Sequence, residues 1–371
     1  MQKPIKTETT MDHQMLNSNQ HVTKAVKKAN AFLADLKISE VLAYKRKSTF
    51  HPLVSFEAKT TIRVFLKALN NANILSAPVY TVDEQTGDNI YIGILSIYDV
   101  LSFAVFEEIF DSDKDFQESN LFDYIERMDA KEFFNTPVEK ALGSSAESLA
   151  PWMFYSTDAV SDLVSALSIS KQHRVLVVDS DILMESVFGP IPPTASITVL
   201  SQTDLVSFLV NSNVLPKEIL EPILDIQVGT VSVLLGQNKA PIIAILETQS
   251  ALHGLKTMYM DNLQAVPVIN KNGELVANFS ASDLRGLNLN NMSKLNKPVF
   301  EYLESERRNR EGLMADQISQ VKYDVTLEHA IKEMQTKKTH RVWVTGDGLD
   351  ALSGVLSYTD VLRMFKELPV L

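Results

Sequence analysis

The sequence predicts a mixed α/β protein built from four β-α-β-β-α units that associate as two pairs. Three observations carry that prediction. A strand ending in Ser-x-x-Asp at the start of an apolar helix occurs four times. A β-branched strand upstream of each ending also recurs, and a stretch with apolar residues at three- and four-residue spacing precedes each strand pair.

The four endings read Ser96-Ile97-Tyr98-Asp99, Ser201-Gln202-Thr203-Asp204, Ser280-Ala281-Ser282-Asp283 and Ser357-Tyr358-Thr359-Asp360. The upstream strands lie at Ala77-Pro78-Val79-Tyr80, Val175 to Asp179, Ala265-Val266-Pro267-Val268-Ile269 and Val342-Trp343-Val344. Their entrances alternate: copies one and three enter through Ala-Pro or Ala-Val-Pro, copies two and four through His173-Arg174 and His340-Arg341. The repeating element is therefore a pair of unlike copies used twice. Turn residues join the strands at Asp83 to Asp88, Asn270 to Gly273 and Gly346 to Gly348, whereas the second copy carries a longer Pro-rich insertion from about Asp181 to Ser196. Helical periods fall at Thr60 to Leu69, Asp158 to Leu167, Ser250 to Met260 and Thr326 to Met334. A unit this small cannot cover its own sheet, so the copies are expected to pack in pairs.

With 371 residues, 45% hydrophobic, the chain has material for about two domains at roughly 150 residues each. Residues 1–30 read as a disordered polar tail. A first pair spans 31–212, with copies at about 38–110 and 141–212, and a second spans 213–371, with copies at about 222–289 and 313–368. The formal charge of −11 gives no overall field toward nucleic acid or anionic lipid, so any anion site must be local. The absence of cysteine removes disulfides, thiolate nucleophiles and Cys-based zinc sites, and fits a reducing compartment. The longest apolar runs, such as Ala240 to Leu246, are strand-sized, and the N-terminus lacks the pattern of a secretory signal, so neither a membrane span nor export is expected.

At the strand–Ser-x-Ser/Thr-Asp motif the chain resembles the cystathionine-β-synthase (CBS) domain family over roughly Leu36 to Leu368. Four copies, with Ala-Pro in odd ones and His-Arg in even ones, are similar to the gamma regulatory subunits of AMP-activated protein kinase and their fungal and plant counterparts. The resemblance implies a non-catalytic regulatory subunit that binds AMP, ADP or ATP between paired CBS motifs. It also implies kinase catalytic and scaffold subunits as partners, and a cytoplasmic location with the nucleus as a second.

The residue chemistry suits such a ligand. A carboxylate can accept both hydroxyls of a ribose, which makes Asp99, Asp204, Asp283 and Asp360 the ribose candidates. Hydroxyls at a helix N-terminus, beside unpaired N–H groups, favour phosphate oxygens: Ser201, Thr203, Ser280, Ser282, Ser357 and Thr359 are placed there. His173, Arg174, His340 and Arg341 would supply the charge. Thr60, Thr157, Thr248 and Thr326 stand near the preceding helix starts, where the family uses a Thr on its ligand and where simple capping is at least as good a reading. Ser-x-x-Asp is likewise a capping box, a role compatible with ligand contact. His-Arg also reads as an exposed pair at a loop exit, and Ala-Pro as a stiff strand entrance.

The chain departs from the gamma pattern in two ways. Where the family often carries Arg before the odd strands, this chain has Leu75 and Ser76, then Asn262 and Leu263, and its second copy keeps Asp204. Sites built around Asp204 and Asp360 are the favoured ones. No phosphate loop, dinucleotide fingerprint, zinc-protease or nucleophile-elbow motif occurs, so no catalytic residue is assigned. Of the seven histidines only His173 and His340 are equivalent, so no metal is expected. Glu304 to Glu311 reads as a solvated connecting helix, and Phe103, Phe106 and Phe110 as a packing face with a docking stripe as the sharper alternative. The rival readings are a stand-alone four-copy adaptor and a small-molecule sensor controlling another enzyme or a transporter.

Overall fold

The computed structural model describes residues 8–48, 53–103, 130–145, 147–149, 152–169, 172–179, 191, 196–236, 241–287, 292–308, 318–346 and 352–366. Phe106, Phe110 and most of the expected Pro-rich insertion lie outside these residues. Within them the chain forms four three-stranded sheets, one per copy, as the repeat requires. They are β1 (Phe56–Glu57), β2 (Ser76–Val82) and β3 (Asn89–Ser96); β4 (Met153–Tyr155), β5 (Arg174–Asp179) and β6 (Ser196–Ser201); β7 (Ile245–Leu246), β8 (Ala265–Ile269) and β9 (Leu275–Ser280); and β10 (Gln320–Lys322), β11 (Arg341–Thr345) and β12 (Leu352–Ser357). In each, the short first strand runs parallel to the central strand and the third antiparallel to it.

The helices are α1 (Glu8–Asp35), α2 (Ile38–Ser48), α3 (Ile62–Asn71), α4 (Ile97–Ser102), α5 (Ala130–Asn135), α6 (Val160–Leu167), α7 (Gln202–Asn211), α8 (Lys217–Leu224), α9 (Val228–Leu234), α10 (Ala251–Met260), α11 (Val299–Arg308), α12 (Leu327–Thr336) and α13 (Tyr358–Arg363). Three-ten turns cover Val138–Ala141, Ala281–Leu284 and Met292–Asn296.

Pairing is reciprocal. Val160 N–H donates to Leu36 O and Ile38 N–H to Asp158 O, so the segment ahead of copy one docks on the helix start of copy two. Conversely, Ile62 N–H donates to Thr136 O and Val138 N–H to Thr60 O. The second pair repeats the exchange through Leu327 N–H to Ile226 O and Val299 N–H to Gln249 O. Each copy thus lends its partner its leading segment.

The cores run across this division. One hydrophobic cluster joins α1 and α2 to the even copies through Leu163, Leu205, Ile331 and Leu362; another joins the odd copies through Phe65, Leu101, Leu255 and Phe279. A smaller one, Ile94, Met153, Leu176, Val178 and Ile191, seals the sheets of copies one and two. Burying both faces of each small sheet takes two neighbours per copy, which pairs alone do not provide.

The expected disordered tail is corrected: from Glu8 onward the chain is helical. Val22, Ala25, Val26, Ala29 and Leu33 recur at three- and four-residue spacing and are buried in the even-copy core. The stripe is built largely of small residues between Lys24, Lys27 and Lys28, so its apolar signal is weak although its geometry is sound.

Candidate nucleotide site

The sheet register brings the two sequence motifs together. Arg174, first residue of β5, lies opposite Ser201, and Arg341, first residue of β11, lies opposite Ser357. In the odd copies Ser76 faces Ser96 and Ala265 faces Ser280, so no basic side chain stands at that place. One backbone bond repeats in all four copies, from the first helical N–H to the residue ahead of the strand: Ile97 to Leu75, Gln202 to His173, Ala281 to Gln264 and Tyr358 to His340.

All four candidate carboxylates sit in capping boxes, with Oδ2 accepting from the Ser N–H at 2.8 to 2.9 Å and from the Ser hydroxyl. Capping satisfies helix donors that otherwise have no partner, and leaves a carboxylate further lone pairs. Beyond this shared bond the four diverge.

Asp99 is 2% exposed. Its Oδ1 is buried without a hydrogen-bond partner. Burial raises its pKa and the Glu147 charge adds to that, while the Ser145 and Ser96 side chains act to lower it. Asp283 is 7% exposed, and the hydroxyls of Ser280 and Ser282 bond each other at 2.7 Å. Asp204 is partly exposed, but Lys45 from α2 donates to it and to Val199 O, both at 2.8 Å. Asp360 is partly exposed, with Arg363 at 3.9 Å, and Thr359 is taken up by Gln202 Nε2 at 2.8 Å.

The two His-Arg pairs, one in each half of the chain, converge. Burial and the charges of Arg174, Arg341 and His173 hold His340 down to about 4, with Glu147 opposing. His340 is open to solvent where it lines the cleft, and the neighbouring cations disfavour a further positive charge there. Arg341 is lowered to about 10 by burial, with Asp360 opposing, and stays charged.

The pair in copy two is already satisfied from within. Glu147 Oε2 lies 3.0 Å from His173 Nδ1, while Oε1 accepts from Arg174 at 3.2 Å and from His173 N–H at 3.1 Å. Burial alone would raise this carboxyl; the Arg174 charge and the His173 contacts more than reverse it, holding it at about 2. Glu147 belongs to a turn fastened by the Ser148 hydroxyl, which accepts from Gly143 N–H at 2.9 Å and donates to Ser145 O at 2.9 Å.

Beside His340 opens a cleft of about 420 Å³ between copies two and four. That volume lies in the range of small-molecule sites. Of the sequence candidates it gathers Thr203 and His340; Arg341 and Asp360 stand next to it in the chain but outside its lining. Lys338, Thr339, Ser207, Asn211 and Tyr358 also line it, and sequence reasoning named none of these as ligand contacts.

Lys338 carried a signal. It adopts φ 52°, left-handed backbone that after α3 and α10 is occupied by Asn73 and Asn262. Asn tolerates that region better than Lys. Lys338→Asn is therefore expected to raise the melting temperature slightly, by relieving up to about 1 kcal/mol of backbone strain, while weakening AMP binding about threefold. Thermal denaturation and titration of the same preparation check both halves.

Among the threonine candidates, only Thr326 caps its helix, accepting from His329 N–H. The caps of α3 and α10 are Thr61 and Ser250, and Ala159 precedes α6 without a side-chain bond; Thr60, Thr157 and Thr248 lie just outside. Among the described residues, no group of His, Asp and Glu could hold a metal, and no helix is long and apolar enough to cross a membrane.

Comparison with known proteins agrees with this architecture. The CBS domain family matches residues 311–367. Two Arabidopsis thaliana proteins named SNF1-related protein kinase regulatory subunit gamma-like are similar over most of the chain: PV42a at 24% identity over 76% of this chain and 78% of its own length, and PV42b at 26% over 78% and 80%. A crystal structure from Methanocaldococcus jannaschii, proposed as an archaeal homologue of the AMP-activated kinase gamma subunit, shares the fold. It covers 89% of this chain and 100% of its own, with a TM-score of 0.59 and 16% identity. Residues 311–367 thus match the CBS domain family, and the chain as a whole shares the fold of the archaeal protein.

Proposed function

We propose that this protein is a non-catalytic regulatory subunit that senses adenine nucleotides and, as a cytoplasmic or nuclear component, controls a serine/threonine protein kinase. One observation carries the reading. Basic pairs 167 positions apart (His173-Arg174 and His340-Arg341) come close enough to act on one another, and one of their members, His340, lines a cleft of about 420 Å³ between two copies. Glu147 balances the copy-two pair from within, while His340 of the copy-four pair faces the cleft, where a phosphate would add charge-assisted contacts. Arg341 and His340 would hold phosphate, hydroxyls of Thr203, Ser207 and Thr339 would face the sugar, and Asp360 would keep lone pairs for ribose beyond its cap. Occupancy of a cleft shared by two copies would favour one arrangement of the pairs over another, which is the only way a ligand can signal. The names of the two plant relatives support a kinase as the output.

A second reading rests on the filling of the other copies. Asp99 and Asp283 are buried and Asp204 is paired with Lys45, features of a four-copy adaptor whose clefts serve structure alone. Calorimetric titration with AMP, ATP and S-adenosylmethionine separates the two: heat of binding with AMP is expected, and silence with all three ligands favours the adaptor. Affinity capture followed by mass spectrometry tests the partner. Kinase catalytic and scaffold subunits are expected, and their consistent absence removes the kinase assignment.

A further inference from the structure

We propose that Glu147 is a built-in phosphate surrogate that fixes ligand choice, holding the His173-Arg174 pair so that the cleft accepts a single phosphate and rejects a longer phosphate chain. The inference rests on the nucleotide reading above and deepens it.

The geometry is that of an occupied anion site. Glu147 presents both carboxylate oxygens to the pair and takes a backbone N–H as well, at 3.0 to 3.2 Å, with its side chain 9% exposed. Arg174 and His173 remain partly open, at 23% and 27%, so the cations keep some access to solvent while the carboxylate that holds them is buried. Among the described residues the carboxylate acting on Arg341 of copy four is the capped Asp360, which stands after the third strand rather than on a turn of the neighbouring copy. The turn is also fixed in place. A Cβ on Gly93 of β3 would fall inside contact distance of the Ser148 carbonyl oxygen and 2.6 Å from Leu142 Cδ2, so this turn lies directly on copy one's sheet. One segment thus shields Asp99 and neutralises copy two.

A monophosphate beside His340 and Arg341 leaves Glu147 undisturbed. A diphosphate or triphosphate tail reaching toward Arg174 would meet the Glu147 charge and would have to displace a desolvated, doubly paired carboxylate.

The test is titration of wild type and Glu147→Gln with inorganic pyrophosphate, AMP and ATP. The variant is expected to bind pyrophosphate and ATP about tenfold more tightly while AMP changes less than about threefold. The gain should disappear in the Glu147→Gln/Arg174→Gln double variant. Glu147→Asp, which keeps the charge and withdraws it by one methylene, guards against misfolding of the amide variant and should show a smaller gain in the same direction. Unchanged pyrophosphate affinity in both single variants, or a gain that survives loss of Arg174, overturns the surrogate role. A pyrophosphate gain with AMP silent throughout leaves that role standing and removes the nucleotide reading instead.

Discussion

Arg341→Ala should lose AMP binding by about tenfold or more, since a charge-assisted contact to phosphate is worth roughly 1.5 to 3 kcal/mol and, among the described residues, Asp360 is the carboxylate that acts on Arg341. The same change should barely move the melting temperature. Arg341 is only partly buried, and Asp360 keeps its capping bonds to Ser357 without it. The substitution should also free His340: with one neighbouring cation gone, its pKa should rise from about 4 toward its ordinary 6.5. Calorimetry reads the first effect and NMR titration of the imidazole the second. An unchanged affinity would place the phosphate elsewhere.

Gly93→Ala is expected to be the most damaging small substitution. The new methyl would meet backbone at Ser148, which cannot rotate aside as a side chain can, beside a β-bulge where the register shifts between Val79 and Tyr80. Overpacking of this kind costs about 1 to 3 kcal/mol, and the upper end is expected because the turn is also tied to Gly143 and Ser145. The melting temperature should fall by several degrees. If the turn lifts rather than the sheet bending, Glu147 leaves His173 and Arg174, and the variant should mimic Glu147→Gln in its response to pyrophosphate. A fully stable Gly93→Ala protein would show that the turn does not rest on β3.

How much of this was legible in the chain depends on distance. The fourfold Ser-x-x-Asp was visible because cap and carboxylate are three residues apart, and its capping role follows from that local geometry. The strand pairs were visible because alternation and turn residues are local too. The α1 helix was missed because two of the five residues of its buried stripe are alanines, Ala25 and Ala29, which carry little apolar signal. Glu147 was missed because it stands in a Gly- and Ser-rich stretch that reads as a plain connection, 26 residues from His173, and nothing local marks a carboxylate as buried. Lys45 is 159 residues from Asp204, and only the exchange of leading segments between copies brings α2 onto copy two. Asp204, favoured as a ribose contact on sequence, is for that reason a weaker candidate than Asp360.

The number of AMP molecules bound per chain at saturation bears most directly on the whole picture. With Asp99 and Asp283 buried, Glu147 on His173 and Arg174, and Lys45 on Asp204, a calorimetric stoichiometry of one is expected, seated beside His340 and Arg341. Two or more equivalents per chain, or one that persists at full affinity in Arg341→Ala, would contradict it.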